Sequence, residues 1–140
     1  MTRAGGGVWA QTIYYPFEHA SKYGRGISLR TILDTPKHDT TNFTDVPMVD
    51  CAATLGDDGI ITIFAVNRDM EEDALLTCDL RAFGDVEVTS HTVMHHDDMN
   101  AANTEELPDT VLPYDVTPDR LDDGIHLPAA SWNVIRIKVK

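Results

Sequence analysis

The stretch "GIITIFAVNR", residues 59–68, is apolar on both faces of the strand that it predicts. Successive side chains of a strand point to opposite sides, so Ile61 and Ile63 share one face while Phe64 and Val66 share the other. A half-buried strand alternates apolar with polar residues, and this stretch does not. The pattern predicts a central strand that is covered on both sides, or one whose outer face meets another domain.

The segments on either side of this strand repeat with period two. They are "ISLRTILD" (27–34), "MVDCAATL" (48–55), "ALLTCDL" (74–80) and "SWNVIRIKVK" (131–140). Turn signals such as "GDDG" and "DDG" separate them at short intervals, and there is no helical period long enough to cross over between parallel strands. We therefore expect an all-β fold, an antiparallel β-sandwich of the jelly-roll kind.

Two segments depart from the strand pattern. The stretch "QTIYYPFEHASKYG", residues 11–24, predicts a helix with Pro16 in its first turn and Gly24 just past its end. The segment from Asp97 to Asp119 carries three prolines and predicts a long ordered loop rather than a strand. A glycine-rich turn, one helix and then only strands indicate a domain junction near the start of the chain.

Composition and charge exclude several classes of protein. The chain has 140 residues, 42% of them hydrophobic, which suits one domain with a real core. Its net charge of −12 repels nucleic-acid phosphates and anionic lipids, so we expect neither partner. No apolar run could span a bilayer and no secretory signal is recognisable, so a cytoplasmic setting is favoured. Cys51 and Cys78 are expected to be buried thiols rather than a disulfide.

The residues alone identify no catalytic or metal site. The "GGG" at residues 5–7 belongs to neither a dinucleotide nor a P-loop fingerprint. The "HHDDMN" stretch, residues 95–100, holds the densest set of metal-ligating side chains, but adjacent histidines on a strand point in opposite directions. We expect a solvated strand end there, no metal and no cofactor. Most acids fall in turns, and no carboxylate pair suited to glycoside hydrolysis stands out.

A family resemblance changes this picture. The stretch "GGGVWAQTIYYPFEHASKYGRG" (5–26) strongly resembles the end of the catalytic barrel in α-L-arabinofuranosidases of glycoside hydrolase family 51. Three later stretches resemble successive parts of that family's C-terminal domain: "ITIFAVNRD", "MNAANTEELPDTVLPYDV" and "HLPAASWNVIRIKV". The resemblance implies that residues 1–25 are the last loop and helix of a (β/α)8 barrel and that residues 26–140 are the C-terminal β-sandwich domain.

The resemblance also implies a function. Such enzymes are retaining hydrolases that release terminal α-L-arabinofuranosyl groups from arabinan and arabinoxylan with two glutamates of the barrel. None of this chain's glutamates sits in the motifs for either role, so both catalytic residues belong upstream of Met1 and the chain by itself is expected to be inactive. In the full-length enzyme Gln11 would hydrogen-bond an arabinofuranose hydroxyl, and Trp9 would help to wall the site.

Partners and alternatives follow from the same reading. The missing barrel is the expected partner, arabinose-containing oligosaccharides are the substrates of the parent enzyme, and an apolar helix without its barrel favours a homo-oligomer. The sandwich could instead be a carbohydrate-binding module. Modules of that kind stack sugars on exposed aromatic rings, and the aromatic residues after Gly26 are Phe43, Phe64, Phe83, Tyr114 and Trp132. A third alternative is a stand-alone protein that oligomerises through its helix.

Overall fold

The computed structural model describes residues 4–140. Within that range the chain forms one α-helix, α1 (Tyr14–Tyr23), and ten strands. The strands are β1 (Ile27–Leu29), β2 (Lys37–His38), β3 (Val46–Pro47), β4 (Val49–Leu55), β5 (Ile60–Asn67), β6 (Ala74–Leu76), β7 (Val86–Met94), β8 (Tyr114–Val116), β9 (Ile125–Leu127) and β10 (Ser131–Val139). Single turns of 3₁₀ helix precede β7 and β9, at Arg81–Phe83 and Leu121–Asp123.

The main sheet has six antiparallel strands in the order β1-β4-β5-β10-β7-β8. Strands β5 and β10 lie at its centre, where Ile61 pairs with Ile137 and Ile63 with Ile135. Two shorter antiparallel pairs, β2–β3 and β6–β9, complete the strands. The order confirms that "GIITIFAVNR" supplies a central strand.

The hydrophobic core lies between the main sheet and the β6–β9 pair. The sheet contributes side chains from β4, β5 and β10, and the pair contributes Leu76, Ile125 and Leu127. The buried members of this cluster are Val49, Ala53, Ile61, Ile63, Ala65, Leu76, Ile125, Leu127, Ile135 and Ile137. Two layers of antiparallel strands around one apolar core are a β-sandwich, as the sequence predicts.

Helix α1 covers the opposite face of the main sheet. His19 is the buried residue of the helix, and the Nε1–H of Trp132 on β10 donates to its Nδ1 at 3.2 Å. The guanidinium of Arg136 lies 4.7 Å from the ring centroid of Tyr23, a cation–π contact. On the same face of the sheet, Phe64 of β5 is buried and stacks on Trp132, so β5 is covered on both sides, in agreement with its apolar pattern.

Two predicted strands are shorter in the structure than expected. The "ISLRTILD" strand ends at Leu29, because side-chain hydroxyls replace the backbone ladder beyond it: Thr31 Oγ1 donates to the Cys51 carbonyl at 3.2 Å, and Thr35 Oγ1 accepts from the Val49 N–H at 3.2 Å. The "ALLTCDL" strand ends at Leu76, before a 3₁₀ turn in which the Asp79 carboxylate accepts the Arg81 N–H.

The prediction of a loop without strands over Asp97–Asp119 is wrong at three residues. Tyr114–Val116 form β8, which pairs with β7 through Val93, Thr92 and His91. Pro113 lies immediately before this strand and outside its ladder, so its missing N–H removes no hydrogen bond between β8 and β7. The rest of the segment is loop and turn, as expected.

The predicted helix is present but begins at Tyr14 rather than at Gln11. Pro16 lies in its first turn, and Gly24 follows its last residue, as expected. The Gly24 N–H donates to the Ala20 carbonyl at 2.9 Å, and a Cβ at position 24 would lie 2.6 Å from that same oxygen. Glycine is required there because of this close approach.

Both cysteines, Cys51 and Cys78, are free thiols and are partly buried. Burial raises the pKa of the Cys78 thiol to about 11, which keeps it protonated and unreactive at neutral pH. The single helix of residues 4–140 is too short and too polar to cross a lipid bilayer.

Candidate functional site

The two residues predicted to contact sugar, Trp9 and Gln11, lie on the loop that leads into α1. The structure brings them together on one open depression of about 480 Å³, whose wall also includes Ile13 and Tyr14. Trp9 is half-buried and Gln11 is exposed. An amide that offers both a donor and an acceptor, beside aromatic rings, is a surface chemically suited to part of a sugar ring.

Hydrogen bonds hold this loop at both ends. On the helix side, the Gln11 carbonyl accepts the Tyr14 N–H at 2.9 Å. On the sandwich side, Asn103 Nδ2 donates to the Ala10 carbonyl at 3.0 Å, and the Gly7 N–H donates to Glu105 Oε1 at 3.0 Å. Sequence reasoning does not find Asn103 or Glu105 as site residues, although both lie in the "MNAANTEELPDTVLPYDV" stretch.

The face of α1 turned away from the sheet is apolar and exposed. Ile13 is 64% exposed and Phe17 is 71% exposed, with Tyr14 beside them on the same face. Tyr15, by contrast, is partly buried, and its burial together with the charge of Asp109 raises the pKa of its phenol. Helix α1 thus has two faces, one packed on the sandwich and one uncovered.

The helix–sheet contact is electrically neutral at His19. Trp132 Nε1–H can only donate, so His19 Nδ1 must accept and carries no proton in this arrangement. Burial lowers the pKa of His19, in agreement with that assignment. The contact joins the segment before Gly26 to the last strand of the chain.

The histidine pair of the "HHDDMN" stretch does not converge on a metal position. His95 Nε2 lies 3.2 Å from the Asp97 carboxylate, and His96 Nδ1 accepts the Asp98 backbone N–H at 3.0 Å. Across residues 4–140, no group of three or more histidine, cysteine or acidic side chains is arranged to hold a metal ion.

A larger surface cleft lies away from the Trp9–Gln11 loop. It has a volume of about 1010 Å³ and is lined by polar residues that include Asp79, Arg81, Asp122 and Lys140. Two hydrogen bonds from the Arg81 guanidinium lower the pKa of Asp79 to about 2. Its lining residues, all within the described part of the chain, include no aromatic side chain, so the cleft offers no surface for sugar stacking.

Comparison with known families assigns the chain. The family model described as "Alpha-L-arabinofuranosidase C-terminal domain" matches residues 1–131. The chain belongs to this family. An intracellular exo-α-(1→5)-L-arabinofuranosidase of Halalkalibacterium halodurans is 42% identical to this chain over 144 aligned residues. The alignment covers all of this chain and 28% of that enzyme. The enzyme of the same name from Acetivibrio thermocellus is 44% identical over 96% of this chain and 27% of its own length.

Solved structures agree with the assignment. A family 51 α-L-arabinofuranosidase from Bifidobacterium longum superposes with a TM-score of 0.85 and 30% identity, over 94% of this chain and 25% of that one. A GH51 arabinofuranosidase from Xanthomonas axonopodis has a TM-score of 0.78 at 20% identity and shows the shared fold. This chain therefore spans about a quarter of the length of the relatives that it matches. The matches confirm the family expected from the sequence.

Proposed function

We propose that this chain serves as the structural C-terminal domain of an exo-acting α-L-arabinofuranosidase that works in the cytoplasm. The observation that carries the proposal is the match over the whole chain, at 42% identity, to about a quarter of an enzyme named as an intracellular exo-α-(1→5)-L-arabinofuranosidase. Relatives named intracellular support the cytoplasmic setting.

The two faces of α1 support a barrel as the partner. One face packs on the main sheet through His19, while the other leaves Ile13 and Phe17 exposed. A helix that lies between two layers buries both of its faces, so a second layer packed over Phe17 would bury the face of α1 that is exposed here. We propose that residues 1–25 are the last loop and helix of a (β/α)8 barrel and that the barrel covers this face.

In this proposal the barrel carries out the reaction. One of its glutamates protonates the leaving oxygen while the other attacks the anomeric carbon, and the first then activates the water that releases arabinose. Three glutamates of this chain make structural contacts instead. Glu18 pairs with Lys22 at 2.7 Å, Glu87 with Lys140 at 3.1 Å, and Glu105 accepts from Gly7.

Gln11 is the proposed sugar contact within this chain, with Trp9 as a neighbouring wall. Ligand sites of such barrels lie on the loops that follow the barrel strands, which is where this proposal places residues 8–13. The test is Gln11→Ala in the full-length enzyme with para-nitrophenyl α-L-arabinofuranoside. Loss of one hydrogen bond to a hydroxyl should lower kcat/KM about tenfold.

The exposed Lys22 supplies a matched control for this test. Lys22→Ala removes only a surface ion pair on the helix that follows the Gln11 loop, and kcat/KM should stay within twofold of the wild-type value. A Gln11→Ala enzyme with unchanged kcat/KM would overturn the sugar contact. A full-length protein that does not hydrolyse the substrate at all would overturn the proposed function.

The carbohydrate-binding alternative receives less support from the structure. Of the aromatic residues after Gly26, Phe64 is buried and stacks on Trp132 at a centroid distance of 6.0 Å. Phe43 and Tyr114 are exposed, but they lie apart in topology, on the β2–β3 connection and on β8 of the main sheet. Titration of the chain with arabinan oligosaccharides, followed by tryptophan fluorescence, should show no saturable change; clear saturation would favour the binding module.

A further inference from the structure

Asn103 links the sandwich to the loop that carries Trp9 and Gln11. Asn103 lies between β7 and β8 and is only 4% exposed. Its Nδ2 donates to the Ala10 carbonyl at 3.0 Å and to the Val111 carbonyl at 3.0 Å, while its Oδ1 accepts the Val111 N–H at 2.7 Å. Both donors of the amide are used, and a flipped amide would set oxygen against two carbonyl oxygens, so its orientation is determined.

The bond to Ala10 acts on the backbone at Gln11. The dihedral angles of Gln11 are set by two peptide planes, one carrying the Ala10 carbonyl and the other carrying the Gln11 carbonyl. Asn103 holds the first plane, and the Tyr14 N–H of α1 holds the second at 2.9 Å. With both planes held, the direction of the Gln11 Cα–Cβ bond is determined before any ligand arrives.

Glu105 gives the same loop a second attachment. Its carboxylate accepts the Gly7 N–H at 3.0 Å, two residues before Trp9. The turn that carries Glu105 is closed by the Thr104 N–H to the Leu107 carbonyl and by the Leu107 N–H to Thr104 Oγ1. Two neighbouring side chains of the sandwich thus hold the loop at separate points.

We propose that Asn103 is a positioning residue for arabinofuranose binding, an inference that rests on the function proposed above. By holding the Ala10 carbonyl, Asn103 keeps the Gln11 backbone in the conformation that it has when sugar is bound. The conformational entropy of ordering this backbone is therefore lost before the sugar binds and does not reduce the affinity. The sandwich is then part of the sugar-binding architecture, and its contribution reaches the substrate through one buried amide.

The first test measures the loop itself, in the 140-residue chain, by amide hydrogen exchange of the peptide that covers residues 7–13. Asn103→Ala should raise exchange in this peptide at least tenfold. The control is Thr110→Ala, which removes a hydrogen bond of the same sandwich loop, from Thr110 Oγ1 to the Leu107 carbonyl, without touching Ala10. Unchanged exchange in the Asn103→Ala chain would overturn the proposal.

The second test measures catalysis in the full-length enzyme with a double-mutant cycle. Asn103→Ala should lower kcat/KM about tenfold when Gln11 is present and less than twofold in the Gln11→Ala background, because Asn103 acts through Gln11. A purely structural residue would cost the same in both backgrounds, and that result would overturn the proposal. If the Asn103→Ala enzyme does not fold, Glu105→Ala takes its place, with a smaller loss and the same dependence on Gln11.

The two tests separate failure of this inference from failure of the proposed function. In one outcome, Asn103→Ala speeds exchange in the loop but Gln11→Ala leaves kcat/KM unchanged. Asn103 would then order a loop that does not bind sugar, and both the sugar contact and the positioning role would be overturned. A tenfold loss in Gln11→Ala with no loss in Asn103→Ala would retain the sugar contact and overturn the positioning role alone.

Discussion

The Nε1–H of Trp132 donates a hydrogen bond to Nδ1 of His19 at 3.2 Å. Trp132 lies on β10, the last strand of the chain, and His19 lies in α1 near its start. Trp132 also stacks on Phe64 of β5, with the two ring planes 24° apart. One indole therefore joins the helix to the two central strands, so the helix and the sandwich should unfold together.

Trp132→Phe tests this joint. Phenylalanine keeps a ring against Phe64 but has no N–H for His19, so the free energy of unfolding should fall by about 1–2 kcal/mol. Urea denaturation followed by circular dichroism measures the change. Once His19 has been changed to Leu, the same Trp132 substitution should cost clearly less, and equal costs in the two backgrounds would show that the bond contributes nothing.

Two buried histidines make stability depend on pH. Burial lowers the pKa of His19 and of His91 below the value of 6.5 expected in the unfolded chain. At pH values between the folded and unfolded pKa values, the unfolded chain binds more protons than the folded chain. The stabilisation of the folded state by the neutral histidines is therefore complete above pH 6.5 and is lost as the pH falls through the folded pKa values. We expect the free energy of unfolding to decrease from pH 7.5 to pH 5.

His19→Gln checks the origin of this pH dependence. Glutamine offers an acceptor to Trp132 but does not titrate, so the loss of stability between pH 7 and pH 5 should be smaller than in the wild-type chain. Urea denaturation at several pH values measures it. Stability that is constant, or that rises, as the wild-type chain is acidified over this range would contradict the assignment of neutral histidines.

Asn67 ties the end of β5 to the segment after β9. Its Nδ2 lies within hydrogen-bond distance of three carbonyl oxygens, those of Glu72, Leu127 and Pro128. Asn67 itself is buried, so Asn67→Ala removes the donor that these three oxygens share and should lower the free energy of unfolding by about 3 kcal/mol in urea denaturation. The exposed Asn100→Ala is the control, expected within about 0.5 kcal/mol of wild type, and an equally small effect at Asn67 would refute the role.

The uncovered face of α1 should cause the free chain to self-associate. Phe17 and Ile13 form an exposed apolar surface that the proposed barrel would cover. Light scattering across a concentration series should show mass rising above the monomer value, and Phe17→Ser should shift that rise to higher concentration. A wild-type chain that stays monomeric at high concentration would contradict this expectation.

The central strands could be predicted because their pattern is local. Strands β4, β5 and β10 start and end within about two residues of the segments expected from period two. No strand is assigned to β7 from the sequence alone, although it is one of the longest. A bulge opposite Arg136 and Ile137 changes its phase, so Val88 and Val93 both face the core side at odd spacing and the alternation is lost.

The candidate site was predicted only in part. Gln11 and Trp9 are expected from the family resemblance because both lie within one of its contiguous stretches, residues 5–26. The bond from Asn103 to Ala10 spans 93 residues, and a side-chain amide that donates to a backbone carbonyl has no characteristic spacing. The long-range attachment could be found only once the fold had placed the two loops side by side.

Hydrolysis of para-nitrophenyl α-L-arabinofuranoside tests the central proposal most directly. The measurement compares the full-length protein that carries this domain with the purified 140-residue chain at equal molar concentration. We expect steady turnover by the full-length protein and none by the chain, because both catalytic glutamates are proposed to lie on the barrel. Steady turnover by the chain free of contaminating enzyme, or an inactive full-length protein, would contradict the proposal.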